Sequence, residues 1–426
     1  MIHELTASDA AARIRAGGLT SEALVSACLA RIGAREAEVG AWQYLDREQA
    51  IDQARAADRT QPRGPLHGVP IGVKDIIDTV DMPTTLGSPL YDGRRPQWDA
   101  ACVAAARAAG AIVLGKTVTT EFAYFQPGKT RNPHGVQHTP GGSSSGSAAA
   151  VADFMVPIAF GSQTAASVIR PAAYCGVFGY KASFGELSLS GIRPFAESLD
   201  TLGLLARSVA DIALLRSVLL GTPDCAELTP LSAPPKIGVC RTAQWALADP
   251  CTRIAVEASA ESCRRAGALV SDVELPAHFA ALIDAQKVIM AYEAAHNYIF
   301  ETTHFAHLLS EPLRVLVDAG RRTSRGSYWG AKSAVALASA ELVSIFADHD
   351  ALITPATIGE APLAETGTGD PVMSRMWTAL HVPSLAVPMT KGPRGLPVGV
   401  QLIGASGADE LLLQLGQWLS RALAAT

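Results

Sequence analysis

Thr139-Pro-Gly-Gly-Ser-Ser-Ser-Gly-Ser-Ala-Ala-Ala-Val-Ala-Asp-Phe-Met-Val-Pro-Ile-Ala-Phe-Gly-Ser-Gln-Thr-Ala-Ala-Ser-Val-Ile-Arg-Pro-Ala172 is the most informative stretch of this 426-residue chain. It opens as a Gly/Ser loop, passes through an Ala-rich helical pattern and an apolar strand at Val156–Phe160, and ends in a second loop of small residues. Three readings of the first loop stand side by side. A flexible linker has this composition, but helix and strand patterns follow at once, which places the loop inside a fold. A phosphate-binding loop needs Lys and then Ser or Thr after its last Gly, and here Gly146 is followed by Ser147 with no Lys. The third reading is a backbone in unusual geometry that presents hydroxyls at the start of a helix. The second loop, 161–172, follows a predicted strand. Consecutive backbone N–H groups in such a turn can converge on an anion or a developing oxyanion, with Ser167 at the end. The plain alternative is a tight turn with a satisfied serine.

The same alternation of helix and strand extends outward on both sides. Residues 4–62 read as helical, with Gly17-Gly18 ending one helix and Thr20 or Ser21 capping the next. Leu66-His-Gly-Val-Pro-Ile-Gly-Val-Lys-Asp75 reads as a strand running into a loop. Residues 99–116 read as a helix capped by Asp99 and then a strand. Later strands are expected at 236–240, 351–354 and 397–403, and helices at 251–266, 281–300, 330–347 and 408–423. This pattern predicts one large α/β domain over residues 1–426 with helices on both faces of the sheet. The aromatic-rich stretch 289–330 reads either as a helical insertion over a pocket or as core packing.

Composition excludes several classes of function. Apolar residues make up 48% of the chain and charged residues 18%, which suits a large buried core and not a disordered chain. Lys plus Arg number 35 against 40 Asp plus Glu, a net charge of −5, so the basic excess of a non-specific nucleic-acid binder is missing. The densest basic patch, Arg321, Arg322 and Arg325, reads as a solvated helix start. Seven cysteines, at 28, 102, 175, 225, 240, 251 and 263, form no Cys-x-x-Cys pair, which argues against a disulfide framework or a structural zinc site. The amino terminus lacks the pattern of a signal peptide. The nearest approach to an apolar span, 101–114, is interrupted by Arg107. A cytoplasmic protein without a membrane or nucleic-acid partner is expected.

Among single residues, Lys74 lies between apolar neighbours. Burial would disfavour its charged form and make it a general base; an ion pair with Asp75 or a snorkelling stem is the other reading. His304 and His307 sit three apart without a third ligand, so no metal site is expected. Phe122, Tyr124 and Phe125 follow a predicted strand and wall an apolar pocket or pack in the core.

Pro140-Gly-Gly-Ser-Ser-Ser-Gly-Ser147 followed by Ser162-Gln-Thr-Ala-Ala-Ser-Val-Ile-Arg-Pro-Ala172 resembles the amidase signature family. So do Gly68-Val-Pro-Ile-Gly-Val-Lys-Asp75, Gly115-Lys-Thr117, Cys175-Gly-Val177 and Gly395-Leu-Pro-Val-Gly-Val-Gln-Leu-Ile403. The likeness covers nearly the whole chain. The Gln-Thr-x-x-Ser form is most similar to bacterial malonamidases; a resemblance to urethanase-like and aryl-acylamidase-like members is the alternative. The spacings also match, with 69 residues from Lys74 to Ser143 and 24 from Ser143 to Ser167.

The resemblance implies a mixed central sheet flanked by helices and a serine hydrolase that cleaves amide C–N bonds, with carbamates and esters as further substrates. It implies a triad in which Ser167 is the nucleophile, Ser143 a bridging serine preceded by a cis peptide bond, and Lys74 the base. Backbone N–H groups of Thr164, Ala165, Ala166 and Ser167 would form the oxyanion hole. Alanines stand at 165 and 166 where the family commonly has glycine, which would be costly if either position needed positive φ. Arg170 matches the malonamidase arginine that holds a substrate carboxylate; a structural arginine bonded to nearby carbonyls is the competing reading. No cofactor and no metal are called for. A homodimer is implied by resemblance. The alternatives are the glutaminase component of a tRNA-dependent amidotransferase, which acts with partner subunits, and a non-catalytic binding scaffold.

Overall fold

The computed structural model describes residues 1–222 and 227–424; Cys225 lies outside the described residues. The strands are β1 (Trp42–Leu45), β2 (Pro70–Lys74), β3 (Ile112–Thr117), β4 (Ile158–Gln163), β5 (Phe178–Lys181), β6 (Thr201–Ala206), β7 (Lys236–Cys240), β8 (Leu269–Val273), β9 (Ala351–Pro355), β10 (Ser384–Lys391) and β11 (Pro397–Ile403). They form one sheet in the order β1-β3-β2-β4-β6-β5-β10-β11-β9-β7-β8. The β3-β2-β4 and β9-β7-β8 groups are parallel and the remaining pairings antiparallel. The protein is thus a single large α/β domain on a mixed sheet, as expected.

Side chains alternate across a strand, so strand composition shows how the faces are covered. Ile71, Val73, Val113, Ile158, Phe160, Leu202 and Leu204 join one buried apolar cluster. Ile112, Leu114, Ala159 and Leu205, from the opposite face of the same strands, join another. The helices Ser21–Val39, Ser145–Ala152 and Ile169–Cys175 contribute to the second cluster, and Val209–Leu220, Pro250–Arg265 and Asp409–Ala424 to the first.

Several local expectations need correction. The run 4–62 is not wholly helical. Gly40 adopts the left-handed conformation that ends the helix Ser21–Val39, and Trp42–Leu45 then pairs antiparallel with β3. Thr20 is the N-cap there, accepting from the Ala23 amide at 3.1 Å, whereas Ser21 is buried and donates to the Gly68 carbonyl. Asp99 does not cap the helix Ala101–Ala108, whose N-cap is Ala100; it accepts from the Val80 amide and pairs with Arg107 instead. Strands β5, β6, β8 and β10 carry no periodic signal strong enough to read beforehand. Arg321 and Arg322 end the helix Glu311–Arg322, and only Arg325 starts the next one. That helix, Arg325–Asp348, is long and apolar enough to cross a membrane by length and composition, contrary to the expectation of no such run; it packs against the helix Leu282–Asn297. Residues 101–114 instead divide between a helix and β3.

What matters for the site is the carboxyl edge of the β3-β2-β4 group. Lys74 is the last residue of β2, and Gln163 the last of β4. In parallel α/β sheets, loops gather at this edge and leave a crevice beyond it. The loop 139–144 reaches the same edge before entering the helix Ser145–Ala152. Gly146 lets that helix start against its neighbours: a Cβ there would lie 2.3 Å from both the Ala41 carbonyl oxygen and the Val118 nitrogen.

Candidate active site

Lys74 is fully buried at the end of β2. Its Nζ lies 2.7 Å from Ser143 Oγ, 2.8 Å from Ser162 Oγ and 3.4 Å from the Ser162 carbonyl oxygen. Among the described residues no carboxylate pairs with it. Asp75, its sequence neighbour, turns the other way, 3.7 Å from Lys116, and accepts from Thr85. Burial therefore pushes the Lys74 ammonium well below the usual lysine range, with the charge of Asp200 opposing in part. A neutral lysine has a lone pair and two N–H donors, which suits two hydroxyls and one carbonyl.

Ser143 follows a cis peptide bond from Gly142. Its neighbour Ser144 donates its amide to the Ser167 carbonyl at 3.2 Å, which ties the two small-residue loops together. Ser143 and Ser167 line one cavity of about 350 Å³, with Thr120, Tyr124, Phe125, Phe195 and Met290 among its walls. Ser167 Oγ makes no hydrogen bond among the described residues. The backbone amides of Thr164, Ala165, Ala166 and Ser167 likewise donate to no protein acceptor among them. Four successive buried donors without acceptors are costly unless something else accepts from them. Neither Ala165 nor Ala166 has positive φ, so the alanines carry no backbone penalty.

The loop is held from behind. Gln163 Oε1 accepts from the Val168 and Ile169 amides at 2.9 and 3.1 Å and so caps the helix Ile169–Cys175. Gln163 Nε2 donates to Thr378 Oγ1, which in turn donates to the Ala165 carbonyl at 2.7 Å. Gln286 Nε2 donates to the Thr164 carbonyl at 3.0 Å. Thr164 Oγ1 donates to Asp200, whose other oxygen accepts from the Phe195 and Ala196 amides. Burial pushes the Asp200 carboxyl up to about 6. With their carbonyls fixed, the loop amides point away from these anchors.

Arg170 lines the cavity, but its two Nη groups are engaged, one by the Gly369 carbonyl and the other by the Gly142 carbonyl at 2.7 Å. Its Nε is buried without a partner among the described residues. This is the carbonyl-bonded arrangement, and it fixes the peptide that precedes Ser143. Tyr124 and Phe125 reach the cavity. Phe122 does not. It is 1% exposed and packs on Tyr91 and Tyr298, with a positive φ that turns it into the core. The stretch 289–330 is helical over most of its length, and Met290 lines the cavity. His304 and His307 lie in no cluster able to hold a metal among the described residues, and the six described cysteines are free.

Sequence reading missed Ser162, Asp200, Gln286 and Thr378. Ser162 stood within a recognised motif, and its place on a strand parallel to β2 was the available signal. The other three come from distant segments and carry none.

Comparison with known proteins fits this geometry. The profile of the amidase family matches residues 23–413. A glutamyl-tRNA(Gln) amidotransferase subunit of Chloroflexus aggregans (strain MD-66 / DSM 9485) is 34% identical, over 99% of this chain and 96% of the relative. A crystal structure of an amidase superposes with a TM-score of 0.90 at 31% identity, covering 98% of this chain and all (100%) of that one. The peptide amidase of Stenotrophomonas maltophilia superposes with a TM-score of 0.83 at 30% identity, covering 99% and 97%.

Proposed function

The chain belongs to the amidase family, and on that basis we propose that it is a serine hydrolase of amide C–N bonds, working through Ser167, Ser143 and Lys74. One observation carries the reading. Among the described residues, a buried lysine without a carboxylate partner contacts a serine in the same cavity as a second serine whose hydroxyl makes no hydrogen bond and whose loop carries four amides without acceptors.

The proposed chemistry follows from these groups. A serine hydroxyl is a weak nucleophile until a base takes its proton. Neutral Lys74 accepts the Ser143 proton as Ser143 accepts that of Ser167; the two hydroxyls line the same cavity without a hydrogen bond between them, and that bond is proposed to form when substrate binds. Ser167 Oγ then attacks the carbonyl carbon. The charge that develops on the carbonyl oxygen is met by amides of the loop Thr164, Ala165, Ala166 and Ser167. Protonated Lys74 returns the proton through Ser143 to the leaving nitrogen, the C–N bond breaks, and Ser167 is left as an ester. Water, deprotonated by the same relay, releases the acid. Carbamates and esters undergo the same acyl transfer.

Two consequences are testable. Ser162→Ala removes one of the groups that aim the Lys74 amine, so kcat is expected to fall about tenfold with KM little changed; an unchanged kcat would show that Ser162 is not needed for that aim. Tyr124, Phe125, Phe195 and Met290 line the cavity and Arg170 is occupied, so a neutral aryl carbamate or anilide is expected to be cleaved faster than malonamate. Release of aromatic amine and of ammonia, each against a Ser167→Ala blank, decides this. Faster malonamate turnover would restore Arg170 as a carboxylate clamp.

The name of the Chloroflexus relative supports a second reading, the glutaminase component of a tRNA-dependent amidotransferase. Its alignment runs over 473 positions against 426 residues here, so the relative carries insertions that this chain lacks. Co-purification of partner subunits, with glutaminase activity that depends on them, would favour this reading over a self-sufficient hydrolase.

A further inference from the structure

Arg375, on the helix Val372–Ala379, is a cation without a counter-ion beside the site. It is 6% exposed. One of its Nη groups donates to Gln286 Oε1, and its other donors have no protein partner among the described residues. No carboxylate lies within ion-pair distance of it among those residues. Desolvation lowers its pKa, and Tyr124, Asp370 and Asp284 oppose this only at longer range. A guanidinium that keeps only slight contact with water and is left largely unpaired is costly, and such groups are normally matched by an anion.

Its position gives that cost a use. Arg375 lines an outer cavity of about 1340 Å³ whose wall includes Phe125, Thr368 and Pro371, the three residues it shares with the cavity of Ser167. The two spaces thus adjoin, the inner one holding Ser143 and Ser167 and the outer one, the mouth, holding Arg375. The other charges at the mouth are Lys287, held by Asp284 at 2.9 Å, Glu365, and Asp370, which accepts from the Val372 amide. Arg170 cannot serve there, because its Nη groups are bonded to carbonyls.

We infer that Arg375 is the specificity residue of this site and binds a carboxylate at the far end of the substrate's acyl chain. The inference rests on the hydrolase reading for its place in turnover, but the binding itself does not. A guanidinium fork matches a carboxylate with two parallel hydrogen bonds. Arg375 lines the outer space and not the one that holds Ser167, so the inferred substrate is a dicarboxylic acid monoamide longer than malonamate.

The test compares glutaryl-4-nitroanilide with 5-methylhexanoyl-4-nitroanilide, in which an isopropyl group replaces the carboxylate. The wild type is expected to favour the acid in kcat/KM by about ten- to a hundredfold, mostly through KM. Arg375→Met should erase that preference, with the loss falling on the KM of the acid far more than on the neutral anilide, and Arg375→Lys should keep part of it. No preference in the wild type overturns the inference. So does an equal loss on both substrates in Arg375→Met, which would mark Arg375 as a mere support for Gln286. Calorimetric titration of the wild type with glutarate needs neither turnover nor a variant: binding is expected, and its absence overturns the inference. If neither anilide is cleaved while glutarate binds, the hydrolase reading fails and the anion site stands.

Discussion

Ser167→Ala is expected to abolish turnover, lowering kcat/KM by about 10⁴-fold or more, because residues of a nucleophilic triad act as a unit and little remains without the attacking oxygen. The same change should leave the fold intact. Ser167 Oγ bonds to no other described residue, whereas the backbone around it is held by Gln163, Thr378, Gln286 and Asp200. The variant should therefore unfold at the wild-type denaturant concentration and should not be labelled by a serine-directed acylating probe that adds one mass increment to the wild type. Substantial turnover by pure Ser167→Ala protein would sink the nucleophile assignment.

Lys74→Met should be nearly as damaging. Methionine fills much of the lysine volume but cannot take a proton, so kcat is expected to fall about 10²- to 10⁴-fold, the usual range for losing a general base. The pH dependence adds a test that a packing defect would not reproduce. Burial holds the folded-state pKa of Lys74 well below 10.5. Only the neutral amine can accept a proton, so wild-type kcat/KM should rise with pH through that lowered pKa, and the residual activity of Lys74→Met should lack the rise. Stability has a sign that follows from the same shift. Between the lowered folded pKa and the ordinary lysine value, the unfolded chain binds one more proton than the native one, so this residue makes the wild type more stable as pH rises across that window. The Lys74→Met protein should lose that slope in chemical denaturation. A wild-type rate profile that is flat with pH, or a variant that keeps the rise, would remove Lys74 as the base.

Fold class, family and the positions of Ser143, Ser167 and Lys74 were all legible along the chain. Strand and helix periods are local, and the two loop motifs are each contiguous, so their residues could be read without knowing what they touch. Strands such as β1 and β6 were not legible, since Trp42–Leu45 is only four residues long and β6 is held by pairing with β4 and β5 more than by pattern.

The surroundings of the three motif residues came instead from contacts between distant segments. Whether Lys74 pairs with a carboxylate depended on which way Asp75 faced, and it faced Lys116. Whether Arg170 was free depended on the carbonyls of Gly369 and Gly142, one of them 199 residues away in sequence. Phe122 entered the core and Tyr124 the cavity, although two positions apart, because Phe122 takes a positive φ that no periodicity announces. Arg375 carried no motif at all. Hydrogen bonds and burial that join segments distant in sequence set the charge and reach of a side chain, and a pattern read along the chain holds no record of them.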